Sequence, residues 1–99
     1  MSNLEVFWED ADGYLKFQWH DGNVFAHSEI FNWSKSVYVK AQAVWQVAKE
    51  ELASEGVETI YVAIPANNTK LIKFEKMFGF QPITTHQDVL YMVCSTEVK

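Results

Sequence analysis

Three histidines and thirteen carboxylates are the groups in this 99-residue chain that could bind a metal or move protons. His20, His27 and His86, with Asp21 and Asp88 beside two of them, could be read as a metal cluster. They lack the H-x-x-x-H or comparable local spacing that puts two imidazoles on one side of a metal, so no metal site is expected. "EDADG" (Glu9–Gly13) looks like part of a calcium loop, but the EF-hand spacing and its distal glutamate are absent. It reads as a turn. Cys94 is the single cysteine, which excludes an internal disulfide and a multi-cysteine zinc site. Its place in the apolar "VLYMVCS" predicts a buried, inert thiol. His27 and Glu29 stand two apart in a strand-like run and so share a face, where a packing or surface role is the ordinary one for the histidine. No G-x-S-x-G, Walker or Rossmann pattern occurs.

These groups must be positioned by elements that the residue pattern marks clearly. "LEVFW" (Leu4–Trp8) and "YLKFQW" (Tyr14–Trp19) are aromatic and aliphatic runs on either side of an Asp/Gly turn. "HDGN" then leads into "VFAHSEIF" (Val24–Phe31), so three antiparallel strands in a meander are expected. From Ser34 or Ser36 to Glu55 the period changes. Val37, Ala41, Val44, Ala48 and Leu52 recur at helical steps, between a serine cap and Gly56. About twenty residues make a helix of ~30 Å, long enough to cross a sheet. "VETIYVAI" (Val57–Ile64) is apolar with little alternation, the pattern of a central strand covered on both faces. After Pro65, Asn68 or Thr69 caps a second helix with Leu71, Phe74 and Phe78 as its stripe, and "DVLYMVCS" (Asp88–Ser95) is the last strand. The prediction is one α/β (α+β) domain over residues 1–99, order β-β-β-α-β-α-β, with a mixed sheet and right-handed crossovers. The first two or three residues and Ser95–Lys99 are expected to fray.

This order, and above all "YVAIPANNTKLIKFEKMFGF", resembles the GNAT superfamily of N-acetyltransferases. Asn68, Leu71, Phe74 and Gly79-Phe80 fall at the spacings of the family's strand, Asn, short helix and terminal Gly-Phe. The order of elements matches over roughly residues 4–95 and the closer motif over about twenty of them. The resemblance implies a pair of splayed strands, "NVFAHSEIF" and "ETIYVAI", with acetyl-CoA in the gap. It places the pyrophosphate on the amides of Ser36, Val37, Tyr38, Val39, Lys40 and Ala41 at the start of the long helix, and Asn68 beside the cofactor. It also makes Glu29 the candidate catalytic base that takes a proton from the acceptor amine.

Three departures bear on activity. The family's Q/R-x-x-G-x-G/A aligns with Ser36–Ala41, where Val39 replaces a glycine that lets phosphate approach the backbone. Lys35 and Lys40 supply charge in compensation, but not access. Glu75 stands where many members carry the tyrosine that protonates the departing thiolate. An exposed helix position would not raise its pKa enough to make it a donor. Finally, the chain starts near the family's second strand, so the N-terminal strand and first two helices that wall the acceptor site are expected to be lacking.

Composition narrows the partners. The net charge is −5 and every basic residue is a lysine, which disfavours nucleic acid. No apolar run approaches the roughly 18 residues of a membrane helix, and no export signal opens the chain, so a cytoplasmic protein without membrane contact is expected. Aromatic residues crowd the first third, and two helices cover a sheet thinly. Trp8, Trp19 and Trp33 are therefore expected on an interaction surface. The function expected is a degenerate GNAT-like domain that binds a protein partner or self-associates. The alternative is a small acetyl-CoA-dependent N-acyltransferase whose acceptor site is completed by a dimer.

Overall fold

Turn chemistry and hydrophobic period together account for the elements of the computed structural model, which describes residues 3–97. The strands and helices are β1 (Asn3–Asp10), β2 (Gly13–His20), β3 (Asn23–Ile30), α1 (Lys35–Ser54), β4 (Thr59–Pro65), α2 (Thr69–Met77), β5 (Gln81–His86) and β6 (Val89–Ser95). Asp21 and Gly22 both have positive φ, as a two-residue hairpin turn between β2 and β3 requires. Ser34 caps α1 by accepting from the Val37 amide at 3.1 Å, and Gly56 follows the helix at φ 89°. Asn68 caps α2 by accepting from the Leu71 amide at 3.0 Å.

The six strands form one mixed sheet in the order β1-β2-β3-β4-β6-β5. Only β3 and β4 run parallel. β5 is an addition to the expected order. Its one large apolar residue is Ile83, and Pro82 marks it as an edge strand. The β5–β6 turn is built on Gln87 and Asp88 at positive φ, without the glycine that usually announces it.

Both helices pack on one face of this sheet. Trp45, Ala48 and Leu52 of α1, with Leu71 and Ile72 of α2 and Phe78 just after it, meet Leu15, Phe17, Val24, Ile60, Val62 and Met92. The other face carries no described helix, so β4 is covered on one side rather than on both. Its apparent lack of alternation arises because Tyr61 and Ala63 on the open side are apolar as well. The C-terminal stretch is also firmer than expected. Ser95 closes β6, and Thr96 is buried, its hydroxyl donating to the Val57 carbonyl at 2.6 Å and its amide to Glu58 at 3.0 Å. Residues 1, 2, 98 and 99, for which fraying was also expected, lie outside the described residues.

Candidate functional site

The parallel pair at the centre of the sheet is incomplete. β3 and β4 are paired only at Val24–Ile60 and Phe25–Tyr61, near the start of each strand. Beyond these, β3 is paired only with β2, and β4 only with β6. The two strands separate towards their C-terminal ends, and both helices begin at that end. Free backbone groups on two facing strand edges are a place where an extended ligand or chain could bond.

Beneath β3, between the sheet and the two helices, lies a cavity of about 30 Å³. That is room for one or two waters. Ala26 and Ser28 line it from β3, Trp45 from α1, Phe74 and Glu75 from α2, Phe78 from the end of that helix, and Trp8 and Tyr14 from the first hairpin. Glu75 is buried, with 4% of its surface exposed. Among the described residues no hydrogen bond or ion pair reaches its carboxyl. Burial without a partner disfavours the ionised form and pushes its pKa up to about 7. This corrects the expectation of an exposed side chain. Glu75 lies four residues after Leu71 and three before Phe78, inside the apolar stripe, and that spacing was a legible signal of burial. The helix end holds it in place: Phe80 and Phe78 both donate their amides to the Glu75 carbonyl, around Gly79 at φ 96°.

The segment expected to hold a pyrophosphate is differently employed. Ser34 takes the Val37 amide on its hydroxyl and the Tyr38 amide on its carbonyl, at 3.1 and 2.9 Å. Val39, Lys40 and Ala41 lie further inside α1, so the unspent amides there are those of Lys35 and Ser36. Val37 and Ala41 face the core, whereas Tyr38 and Val39 are exposed. The Lys40 ammonium donates to Asp10 at 2.8 Å and to Asp12 at 2.7 Å. Its pKa is raised by those carboxylates, and the Asp10 carboxyl is held below its usual range first of all by Lys40. The compensating charge is therefore already neutralised. Two carboxylates on one lysine beside α1, with the Val39 side chain where a glycine would admit phosphate, do not fit a pyrophosphate. Asn68 spends its side-chain oxygen on the α2 cap.

Glu29 is exposed on the open face of β3, across from Tyr14 on β2. His27 is beside it and bonds Gln18 at 2.8 Å. Glu29 and Glu75 thus lie on opposite faces of the sheet. His20 is next to Asp21 in the β2–β3 hairpin, and His86 ends β5; among the described residues no three metal-binding side chains come together. Cys94 is buried, which raises its pKa.

The tryptophans divide differently from the expectation. A bulge between Val6 and Trp8 shifts the β1 register, so that Phe7 meets Phe17 and Trp8 pairs with Leu15 on the helix side. Trp19 also packs against the core, with its indole nitrogen donating to Glu5 at 3.3 Å. Of the three, Trp33 is the exposed one, at 51%, edge-on to Phe74 with ring centroids 5.8 Å apart. The open face carries other apolar groups. Leu4, Phe25, Tyr61 and Val93 line up across β1, β3, β4 and β6, with Gln18 between the first two. Val6 and Tyr91 flank that row. Leu4 and Val6 are 57% and 54% exposed, and the Phe25 and Tyr61 rings lie 5.7 Å apart.

Comparison with solved structures finds proteins of similar fold. The crystal structure of SsHAT matches with a TM-score of 0.64 over 76% of this chain, at 22% identity. An uncharacterized protein from Bacillus halodurans matches with a TM-score of 0.59 over 84% of this chain, at 20% identity. The chain spans 37% and 52% of those two proteins' lengths. At these identities the likeness is one of fold. No family model matches the sequence, and no curated protein is significantly similar to it. No described helix is long and apolar enough to cross a membrane.

Proposed function

We propose that the chain is a degenerate GNAT-like domain that works by holding a protein against its open sheet face, a second copy of itself being one such partner. The observation that carries this reading is the row Leu4, Phe25, Tyr61 and Val93 on a sheet face that no described helix covers. Contiguous apolar surface of this kind marks interaction sites more often than it marks solvent-facing sheet. The mixture with Lys16, Gln18, His27 and Glu29 gives it the polar component of a reversible interface. Light scattering over a range of concentrations tests it. The wild type should gain mass with concentration, and Phe25→Glu, which puts a charge in the middle of the row without touching the helix-side core, should remain monomeric. A wild type that stays monomeric to about millimolar concentration would remove self-association.

One observation favours an acetyl-CoA-dependent N-acyltransferase instead. The unpaired edges of β3 and β4 open the gap in which the family holds its cofactor, and Glu29 on the open face would then act as base, with a dimer completing the acceptor site. The neutralised Lys40 and the glycine-free start of α1 weigh against it. Titration with acetyl-CoA, followed by calorimetry or by thermal unfolding, should therefore show no binding. Binding at about micromolar strength that Lys40→Glu abolishes would replace the interaction-module reading with this one.

A further inference from the structure

α1 is apolar on two sides. Val37, Ala41, Trp45, Ala48 and Leu52 are buried against the sheet. On the opposite side Val39 and Val47 are 60% and 48% exposed, with Ala43 exposed between them. The outer face of a surface helix is ordinarily polar, and an apolar one is ordinarily covered. No described element covers this one. The row continues to Ser36 at one end and Glu50 at the other, both exposed. Its steps are therefore 3, 4, 4 and 3, the same in either direction from Ala43.

The charges at the ends of α1 run against its own dipole. The first turn carries Lys35 and no acid, while the last turn has no base and Glu50 and Glu51 lead into Glu55. An isolated helix favours the reverse. An antiparallel neighbour corrects both ends, since it brings its negative C-terminal end to Lys35 and its positive N-terminal end to the carboxylates. A second copy of α1 supplies that neighbour with the matching pattern already built in. A two-fold axis at Ala43 sets Val39 against Val47 of the other copy and brings Lys35 beside its Glu50. The smallest residue of the row then falls at the crossing, where two helices come closest.

We propose that the outer face of α1 pairs antiparallel with the same face of a second copy, about a two-fold axis at Ala43. This surface lies on the helix side of the molecule, opposite the open sheet face. Ser36 to Glu50 is a strip about 21 Å long and ~10 Å wide, well short of the ~800 Å² per partner that a stable interface buries. The pairing is therefore weak in dilute solution, where a copy without the sheet-face contact stays monomeric, and it takes effect between copies that are already held close. With the sheet face it gives each copy two self-complementary surfaces, back to back.

Disulfide trapping in Phe25→Glu tests the pairing independently of the sheet face, because a disulfide captures a brief contact of the right geometry. Phe25→Glu itself, whose Cys94 is buried, is the blank. With Ala43→Cys added, mild oxidation should give a linked dimer more than about tenfold faster than with Ser54→Cys, which is also exposed but lies beyond the row. Val39→Cys and Val47→Cys should each link slowly alone and rapidly when mixed. Glu50→Lys should slow the Ala43→Cys reaction about threefold, and adding Lys35→Glu should restore it. The same cysteine series in the wild type should keep this order. Equal rates at all positions, or Val39→Cys linking to itself as fast as to Val47→Cys, would overturn the antiparallel pairing. Absence of linkage at every position would overturn the second copy as occupant and leave the row to a helix of another protein.

Discussion

Glu75→Gln is expected to stabilise the protein by about 3 kcal/mol at pH 8 and to leave its stability nearly unchanged near pH 4. The carboxyl is buried on α2 without a described partner, and its pKa is raised from 4.5 to about 7. Below the unfolded-state value both states hold the proton, and burial of a neutral carboxyl costs little more than burial of an amide. Between about 4.5 and 7 the unfolded chain releases the proton while the folded chain keeps it, so wild-type stability falls as pH rises. Above about 7 the folded state must also ionise the group, and the full penalty, some 2.5 pH units at ~1.4 kcal/mol each, is in place. The glutamine variant never ionises. Urea unfolding of both proteins from pH 4 to 8 should show two curves that meet at acid pH and separate as pH rises. Parallel curves would mean that Glu75 reaches solvent or finds a partner. A domain stable by only about 5–15 kcal/mol that gives up this much at neutral pH is keeping the carboxyl for something other than stability.

Trp45→Ala is expected to cost about 3–5 kcal/mol, enough to leave this small domain partly unfolded at room temperature. Trp45 is 5% exposed and joins the layers of the fold. Its ring lies 6.4 Å from that of Phe17 on β2 and 5.5 Å from that of Phe80, which follows α2. Its indole nitrogen donates to the Phe78 carbonyl at 2.8 Å, one of the groups left open where α2 ends. Truncation removes the aromatic contacts, opens a void continuous with the Glu75 cavity and leaves that carbonyl with only the weak Cys94 thiol donor at 3.7 Å. Trp45→Phe restores most of the volume but not the hydrogen bond, and should recover all but about 1–2 kcal/mol. Equal losses in the two variants would show that the hydrogen bond, not the packing, is the main contribution. Chemical denaturation followed by far-ultraviolet circular dichroism measures both.

Much of the fold was legible because its signals are local. The Asp21-Gly22 turn, the serine cap, the helical spacing from Val37 to Leu52, and Gly56 each act within a few residues, and each appears where the pattern places it. β5 was not legible, since Pro82, a single large apolar residue and a turn of Gln87-Asp88 are all weak strand signals; pairing with β6 makes it a strand. Trp8 shows a different limit. Alternation assigns faces only in an unbroken register, and the bulge after Val6 brings both Phe7 and Trp8 to the helix side.

The sequence by itself determined the order of elements from β1 to α2, because caps, turns and periodicity depend on near neighbours. Only the tertiary structure decided which groups meet. Packing both helices on one face bared Phe25 and Tyr61 on the other, and closing α2 against β3 enclosed Glu75. The β1–β2 turn brought Asp10 and Asp12 onto Lys40 across about thirty residues of chain. Desolvation and charge pairing are properties of enclosed space, so a glutamate that reads as a surface group in the sequence becomes, in the folded chain, the buried acid at the centre of its candidate site.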